Sequence, residues 1–475
     1  MTFNLSPAVK NVLLYGVSIA LMKGISLIML PFITHYLSQD AFGRLEVLLS
    51  IAAFGSVIVS MGLMDALYRF AGSHKKMKDK KRAASEIYGI ACVIALMAFS
   101  VLWFAAEIIV DLTGNTFSLY EVRLVLSVLV FEGCIAIPLG WLRMTDKVWT
   151  FFLVTTGSAI TNALLITFNL IYGRGVEGIL ESGVIVATLQ ALVLAILHIR
   201  HAGIGFNLAL THKCIVYGLP IMLSGILAFT LNGFDRWLLA EKASMVDVAN
   251  FAVAAKFALA VTLLMQPFNM WWMPRRFEVL FGQDGVVNAA KFTSLGITIL
   301  LVITATVGLA SPILITLLMP GEYAVAGQYA AVLVLAACLK ELFELINLGS
   351  LTGETTYSVL IANIAGACTG VIMMFWLAPD YAVWGIAAAL LAAHWVRVAV
   401  IFVSSQYLYP IQYPFSSLLA TGLITAVSVS FSLQDFTLAY QAVTTVLGVT
   451  TVIGFSVWRG LFPLTLFKTS RAQML

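Results

Sequence analysis

Charge is what this sequence has least of. Of its 475 residues only 11% are Asp, Glu, Lys or Arg, where a soluble globule carries about 25%. So few charges cannot cover a water-facing surface, and with 61% hydrophobic residues and a mean hydropathy of +0.99 the chain must be solvated largely by lipid. Cysteine is nearly absent too. The five cysteines are odd in number, with Cys92, Cys134, Cys338 and Cys368 inside apolar runs and Cys214 in an expected inner loop, so no disulfide framework is indicated. There is no G-x-x-x-x-G-K-[ST] stretch, which excludes ATP binding through a P-loop. Polar gaps are no longer than residues 274–291, too short for a soluble domain. Neither a cofactor nor a metal is expected, and the modest net charge of +4 points to no nucleic-acid partner.

The apolar runs are continuous and lack strict alternation. That excludes an outer-membrane barrel and predicts an all-α, polytopic membrane protein. A span needs about 20 apolar residues, and the runs divide into about fourteen: 11–33, 43–70, 86–106, 123–143, 150–172, 181–200, 214–233, 249–272, 291–313, 324–350, 357–378, 383–404, 414–433 and 439–458. The first run is too long for the core of a cleavable signal, and no small-residue cleavage site follows it.

Orientation comes from the one place where charge is dense. Residues 62–82, GLMDALYRFAGSHKKMKDKKR, run from an apolar segment into Lys75, Lys76, Lys78, Lys80, Lys81 and Arg82. Lys and Arg beside a span hold that loop inside the cell, which makes both termini cytoplasmic. Other cations agree. Lys10, Arg143, Lys147, Arg200, Lys213, Arg275, Arg276, Lys291, Arg459, Lys468 and Arg471 fall on expected inner segments, against Arg44, Arg123, Arg174, Arg236 and Lys242 on outer ones. Trp271 and Trp272 before Pro274-Arg275-Arg276 fit an inner interfacial belt.

A weak repeat divides the chain. Tyr15-Gly16 and Tyr217-Gly218 each open a long helix followed by a short Asp-containing loop and another span, Leu37–Gly43 in one copy and Met245–Asn250 in the other. Six spans separate the copies, so the halves are parallel. The expected organisation is a six-helix lobe over 1–205, a second over 206–405, and two additional helices with a cytoplasmic tail over 406–475.

Ionisable residues inside spans cost at least about 2.5–3.5 kcal/mol and by default mark a pathway. Lys23 is near the middle of the first span, roughly 15 Å from water at about 1.5 Å per residue, beyond the reach of its stem. It must face either a wet cavity or a counter-ion such as mid-span Glu132. The tenth span holds Lys340, Glu341 and Glu344. Lys340 and Glu344 share a helix face and can neutralise each other, which leaves Glu341 unexplained. His394 and Arg397 share a face of the twelfth span. Asp65 with Arg69, and Asp235 with Arg236, stand at span ends as gate contacts or plain helix-end ion pairs. Gly16, Ala20 and Gly24, and Gly366 and Gly370, have the small-xxx-small spacing that lets helices approach. Thr155, Ser158, Asn162 and Asn169 form a polar stripe, suited to a hydroxyl-rich cargo or to interhelical hydrogen bonds.

Four stretches resemble bacterial polysaccharide flippases. Leu30–Gly43, LPFITHYLSQDAFG, is similar to their "lP-hydrophobic-T-x-x-L-S-x-x-x-[FY]-G" opening, and Met61–Phe70, MGLMDALYRF, to "x-G-L-x-x-A-L-x-R-[FY]". Gly218-Leu219-Pro220 followed by Asp235-Arg236-Trp237 is similar to "G-[LF]-P … D-[RK]-hydrophobic". Ala378-Pro379-Asp380-Tyr381 with Trp384–Ala389 resembles their motif between the eleventh and twelfth spans. The resemblance covers the chain to about residue 405 and is to the multidrug/oligosaccharidyl-lipid/polysaccharide exporter superfamily. It implies a bacterial inner-membrane flippase turning undecaprenyl-diphosphate-linked sugars from inner to outer leaflet by alternating access. It further implies an H⁺ or Na⁺ gradient as drive and association with polysaccharide polymerase machinery. On that reading Lys23, Arg397 and Lys340 are cavity cations for the diphosphate, and Glu132, Glu341 and Glu344 are candidates for ion coupling. A multidrug or metabolite cation antiporter is the nearest rival, though it favours an acid in the first span where this chain has Lys23. A membrane polysaccharide polymerase, an enzyme, needs a long outer loop that the sequence does not offer.

Overall fold

The computed structural model describes residues 7–353, 357–434 and 437–462, with backbone only for 7–15 and 17–20. Lys468 and Arg471 and both chain termini lie outside the described residues. Among the described residues every regular element is helical. Packing divides the chain into two compact units, Met1–Trp237 and Leu238–Leu475. This division follows which helices touch, whereas the boundary at 205 follows the sequence repeat.

The first unit contains α1 (Pro7–Tyr36), α2 (Gln39–Ser60), α3 (Leu63–Gly72), α4 (Met77–Leu112), α5 (Leu119–Val130), α6 (Glu132–Met144), α7 (Val148–Ile171), α8 (Gly175–His201) and α9 (Leu208–Phe229). The short α10 (Phe234–Lys242) carries the chain across the boundary. The second unit contains α11 (Met245–Trp272), α12 (Arg276–Leu280), α13 (Gly285–Leu318), α14 (Ala326–Ile346), α15 (Tyr357–Leu408), α16 (Phe415–Ser430) and α17 (Leu438–Trp458).

Eleven helices among the described residues are long and apolar enough to cross a membrane. One of them, α15, is 52 residues. At about 1.5 Å per residue a helix of that length would reach roughly 78 Å, far beyond a hydrocarbon core of about 30 Å. It therefore turns back, at Ala382 (φ 45°, ψ −121°), where the chain leaves the helical region. Counting its arms separately and adding α1 and α14 gives the fourteen or so spans expected from the sequence. The protein is a multi-pass, all-helical membrane protein. Alanine is strained at Ala382, and a left-handed residue other than glycine costs about 1–2 kcal/mol. Ala382→Gly is accordingly expected to raise the melting temperature of the purified protein slightly.

Two expected spans are not continuous. The run 43–70 is interrupted between α2 and α3, where Met61 (φ 44°) and Gly62 (φ 63°) are left-handed. The run 123–143 is interrupted at Phe131, between α5 and α6. Breaks inside a bilayer are tolerated only where protein or water satisfies the freed backbone, and α9 packs against both α2 and α3. A Cβ on Gly218 of α9 would collide with the Met61 carbonyl, so only glycine lets the two backbones meet. Two motifs far apart in sequence, Met61-Gly62 and Gly218-Leu219-Pro220, thus form one joint.

Helix starts explain the repeated loops. Ser38 Oγ accepts from the Ala41 amide (3.2 Å) at the start of α2, and Ser244 Oγ accepts from the Asp247 amide (3.1 Å) at the start of α11. Each serine satisfies an orphan first-turn donor.

Candidate functional site

A cluster of buried and half-buried polar side chains lies in the second unit, on α11, α12, α14 and α15. The helix α14 has two faces. Leu335, Cys338, Leu339, Leu342 and Ile346, at helical spacing, line an apolar groove of ≈ 540 Å³ shared with α13, α15 and α16. Lys340, Glu341, Glu344 and Asn347 occupy the other side. A spanning helix with such a division presents its charged side to protein or water, because lipid offers no partner for it.

Each charge there has identifiable neighbours. Glu341, 6% exposed, accepts a hydrogen bond from Asn269 Nδ2 (3.0 Å) at the end of α11. Glu344 accepts from Asn347 Nδ2 (3.1 Å), and Asn347 Oδ1 accepts from Arg276 Nη1 (3.0 Å). Burial lowers the pKa of the Arg276 guanidinium, while the nearby charge of Glu344 raises it. Arg397 donates from Nε to Asn363 Oδ1 (3.1 Å), its Nη1 stands 3.1 Å from His394 Nδ1, and its guanidinium lies 4.4 Å from the centre of the Phe343 ring. Glu344 is within electrostatic reach of both Arg397 and Arg276, and Lys340 within reach of His394.

The decisive feature is a missing contact. Among the described residues neither Arg397 nor Arg276 makes an ion pair within 4.0 Å, and neither do Glu341 and Glu344. The two guanidiniums are held by amides, a ring, an imidazole and a thioether, all without negative charge. Such partners orient a cation without neutralising it, which leaves its donors available to an anion. Gly366 makes this possible, because a Cβ there would run into Cγ of Arg397. The glycine houses the arginine stem, a different use from the helix approach that its spacing suggests.

In the first unit Lys23 is half-buried on α1, and beside it Gly24 faces open space, so close helix approach is not its role. Lys23 and Glu132 are not joined, and Lys23 has no ion pair among the described residues. Glu132 opens α6 just after the break at Phe131, within hydrogen-bonding reach of Ser56. Asp65 and Arg69 do not meet within 4.0 Å either. Arg69 instead lies over Tyr217, 5.0 Å from the ring centre. Asp65 lines a hollow of ≈ 200 Å³ with Gly62, Gly133 and Gly225, next to both helix breaks. Asp235 and Arg236 do form a pair (2.7 Å), with Asp235 2% exposed and Glu46 in electrostatic reach of the arginine. The polar stripe on α7 is mostly occupied. Thr155 and Ser158 donate to carbonyls one turn back, and Asn169 donates to Gly178 O and Ser182 Oγ of α8.

Arg276, Asn269, Asn347 and Asn363 were not expected in a site. Arg276 reads in the sequence as an interfacial loop charge, and three scattered asparagines give no spacing signal. The available clue is that Asn269 and Asn363 interrupt otherwise apolar spans.

The structure is similar to "Lipid II flippase MurJ, inward closed conformation" with a TM-score of 0.55 and 14% identity, covering 91% of this chain and 98% of that one. It is also similar to a mutant form of the Vibrio cholerae MATE transporter VcmN (TM-score 0.57, 15% identity, 84% and 96% covered). A third likeness is to the inward-facing conformation of a multidrug resistance MATE family transporter of the MOP superfamily (TM-score 0.57, 13% identity, 85% and 99% covered). None of the curated proteins matches the chain. The profile of one family, described as "Polysaccharide biosynthesis protein", matches residues 8–279, more than half of the sequence. The chain belongs to that family.

Proposed function

We propose that this protein is a flippase that moves a diphosphate-linked lipid oligosaccharide, an O-antigen, capsule or exopolysaccharide repeat unit, across the bacterial inner membrane by alternating access. The observation that carries this reading is Arg397, a guanidinium deep in a spanning arm and held only by neutral partners. A diphosphate supplies the missing charge, and Arg can meet it with two parallel N–H donors. Lys23, mid-span and without an ion pair among the described residues, and Lys340 add cations of the same use. The polyprenyl tail stays in lipid, so the protein has only the polar head to carry. Membership in the polysaccharide biosynthesis family supports the same cargo. Glu341, Glu344 and Glu132 are the carboxylates through which an H⁺ or Na⁺ gradient can drive the cycle.

A second reading has one observation in its favour. Among the described residues Glu341 and Glu344 make no ion pair within 4.0 Å, which would also suit an antiporter for cationic compounds. One experiment separates the two. The gene is expressed in a bacterium lacking its own O-antigen or capsule flippase, with Lys23→Ala alongside at matched membrane levels. The wild type is expected to restore surface polysaccharide and Lys23→Ala to reduce it by at least about tenfold, since one deep charge–phosphate contact is worth about 1.5–3 kcal/mol. Drug resistance from the same plasmid, with no surface polysaccharide in any host of matching sugar repeat, would favour the antiporter.

A further inference from the structure

The first unit holds a cationic hollow apart from the residues assigned above. A cavity of ≈ 270 Å³ opens where the start of α4, the end of α6 and the end of α8 converge. It has the liquid volume of about nine waters. Its polar lining is Lys81, Lys147, His198, His201 and Thr145. The remaining wall is apolar, and no acidic side chain lines it.

His198 is packed in the wall of the hollow. It is 2% exposed, packed 4.5 Å centre to centre from Tyr88 and 6.4 Å from Trp141, yet neither ring nitrogen has a hydrogen-bond partner. The backbone of Ala84 lies near the ring but outside hydrogen-bond geometry. A buried imidazole always carries at least one N–H, and leaving it unmet costs about 1–3 kcal/mol. Lys81 and Lys147, both exposed, make no ion pair among the described residues although Asp79 and Asp146 are close in sequence. The hollow therefore combines two ammonium groups that make no ion pair among the described residues with an apolar wall in which the buried His198 ring is packed. It adjoins the basic run Lys75–Arg82, whose field raises the local concentration of anions.

We propose that this pocket binds a phosphate-bearing anion, with Lys81 and Lys147 as its donors. A phosphate offers several acceptor oxygens at once and makes charge-assisted bonds with each donor. Two sources share this chemistry. An anionic phospholipid headgroup matches the cations and also the apolar wall, as basic pockets between spanning helices do. Free phosphate matches the cations alone.

The test uses the full-length protein in a neutral detergent, followed by thermal unfolding. Dioleoyl-phosphatidylglycerol, dioleoyl-phosphatidylcholine and sodium phosphate are added separately, with sodium chloride matching ionic strength. A ligand that binds only the folded state raises the midpoint. Phosphatidylglycerol is expected to raise it by several degrees, phosphatidylcholine not at all. The double variant Lys81→Gln/Lys147→Gln should lose most of that shift. The control Lys75→Gln/Lys76→Gln removes the same charge outside the pocket and should keep it. A shift reproduced by sodium phosphate and lost only in the pocket variant keeps the site and makes free phosphate its source. The proposal is overturned if neither phosphate source shifts the wild type beyond its control. Equal loss in both double variants, or none in the pocket variant, would also overturn it.

Discussion

Arg397→Ala is expected to reduce surface polysaccharide in the complementation assay by about 10²-fold or more while leaving the folded protein at normal levels. The size follows from the geometry. A charge-assisted hydrogen bond contributes about 1.5–3 kcal/mol, and a guanidinium facing a phosphate makes two in parallel. The stability cost is smaller by comparison, because Arg397 directly contacts only uncharged groups, Asn363, His394 and the Phe343 ring, and Glu344, which loses one nearby cation, keeps Arg276 within electrostatic reach. Arg397→Lys should fall between, since it keeps the charge but loses the planar fork. Gly366→Ala should behave as a mild Arg397 variant, because the added methyl takes the space of the arginine stem. If Arg397 were only a strut between the two arms of α15, the pattern would invert. Asn363→Ala would then lower the melting midpoint as much as Arg397→Ala does, and surface polysaccharide would follow the amount of folded protein.

Fold class was legible in the sequence because it depends on totals: sparse charge, continuous apolar runs and cations gathered on alternate loops. Span boundaries were legible for the same reason, including the division of 357–408, where Pro379 and Asp380 mark a turn that the helix merely brackets at Ala382. The breaks inside the second and fourth spans were not. Gly62 is the only local hint of one, and no left-handed residue or proline marks Phe131. Those interruptions are tertiary, made possible by what packs against them. The site was half legible. Deep charges announce themselves by their cost, so Lys340, Glu341, Glu344 and Arg397 could be named from sequence. Their partners could not, because Arg276 reaches Asn347 across 71 positions and Asn269 reaches Glu341 across 72. The sequence also suggested pairs, Asp65 with Arg69 and Lys340 with Glu344, from helical spacing alone. For Asp65 and Arg69 the aromatic face of Tyr217 outcompetes the carboxylate, which spacing cannot foresee.

Gly218→Val should be among the most damaging single substitutions in the first unit, and for a structural reason. The Met61 carbonyl sits where a Cβ on Gly218 would be, with the Gly62 Cα beside the same point. That obstacle is backbone in a left-handed conformation, which has no rotamer to move into. Either α9 withdraws from the break, exposing its freed carbonyls and amides, or the α2–α3 joint is forced out of shape. Overpacking typically costs about 1–3 kcal/mol, and backbone polar groups left unsatisfied in lipid add several more each. The expected result is a melting midpoint lowered by many degrees, with reduced membrane levels and correspondingly little surface polysaccharide. Gly225→Ala, about two helical turns further along α9, provides the comparison. Its Cβ would meet only the side chain of Val57 and no backbone, so its midpoint should fall far less than that of Gly218→Val. If both variants unfold alike, the joint between Met61-Gly62 and Gly218 is no special point of the bundle. If Gly218→Val alone falls, the two motifs owe their spacing to one backbone contact, and the break in the second span is a built joint held shut by α9.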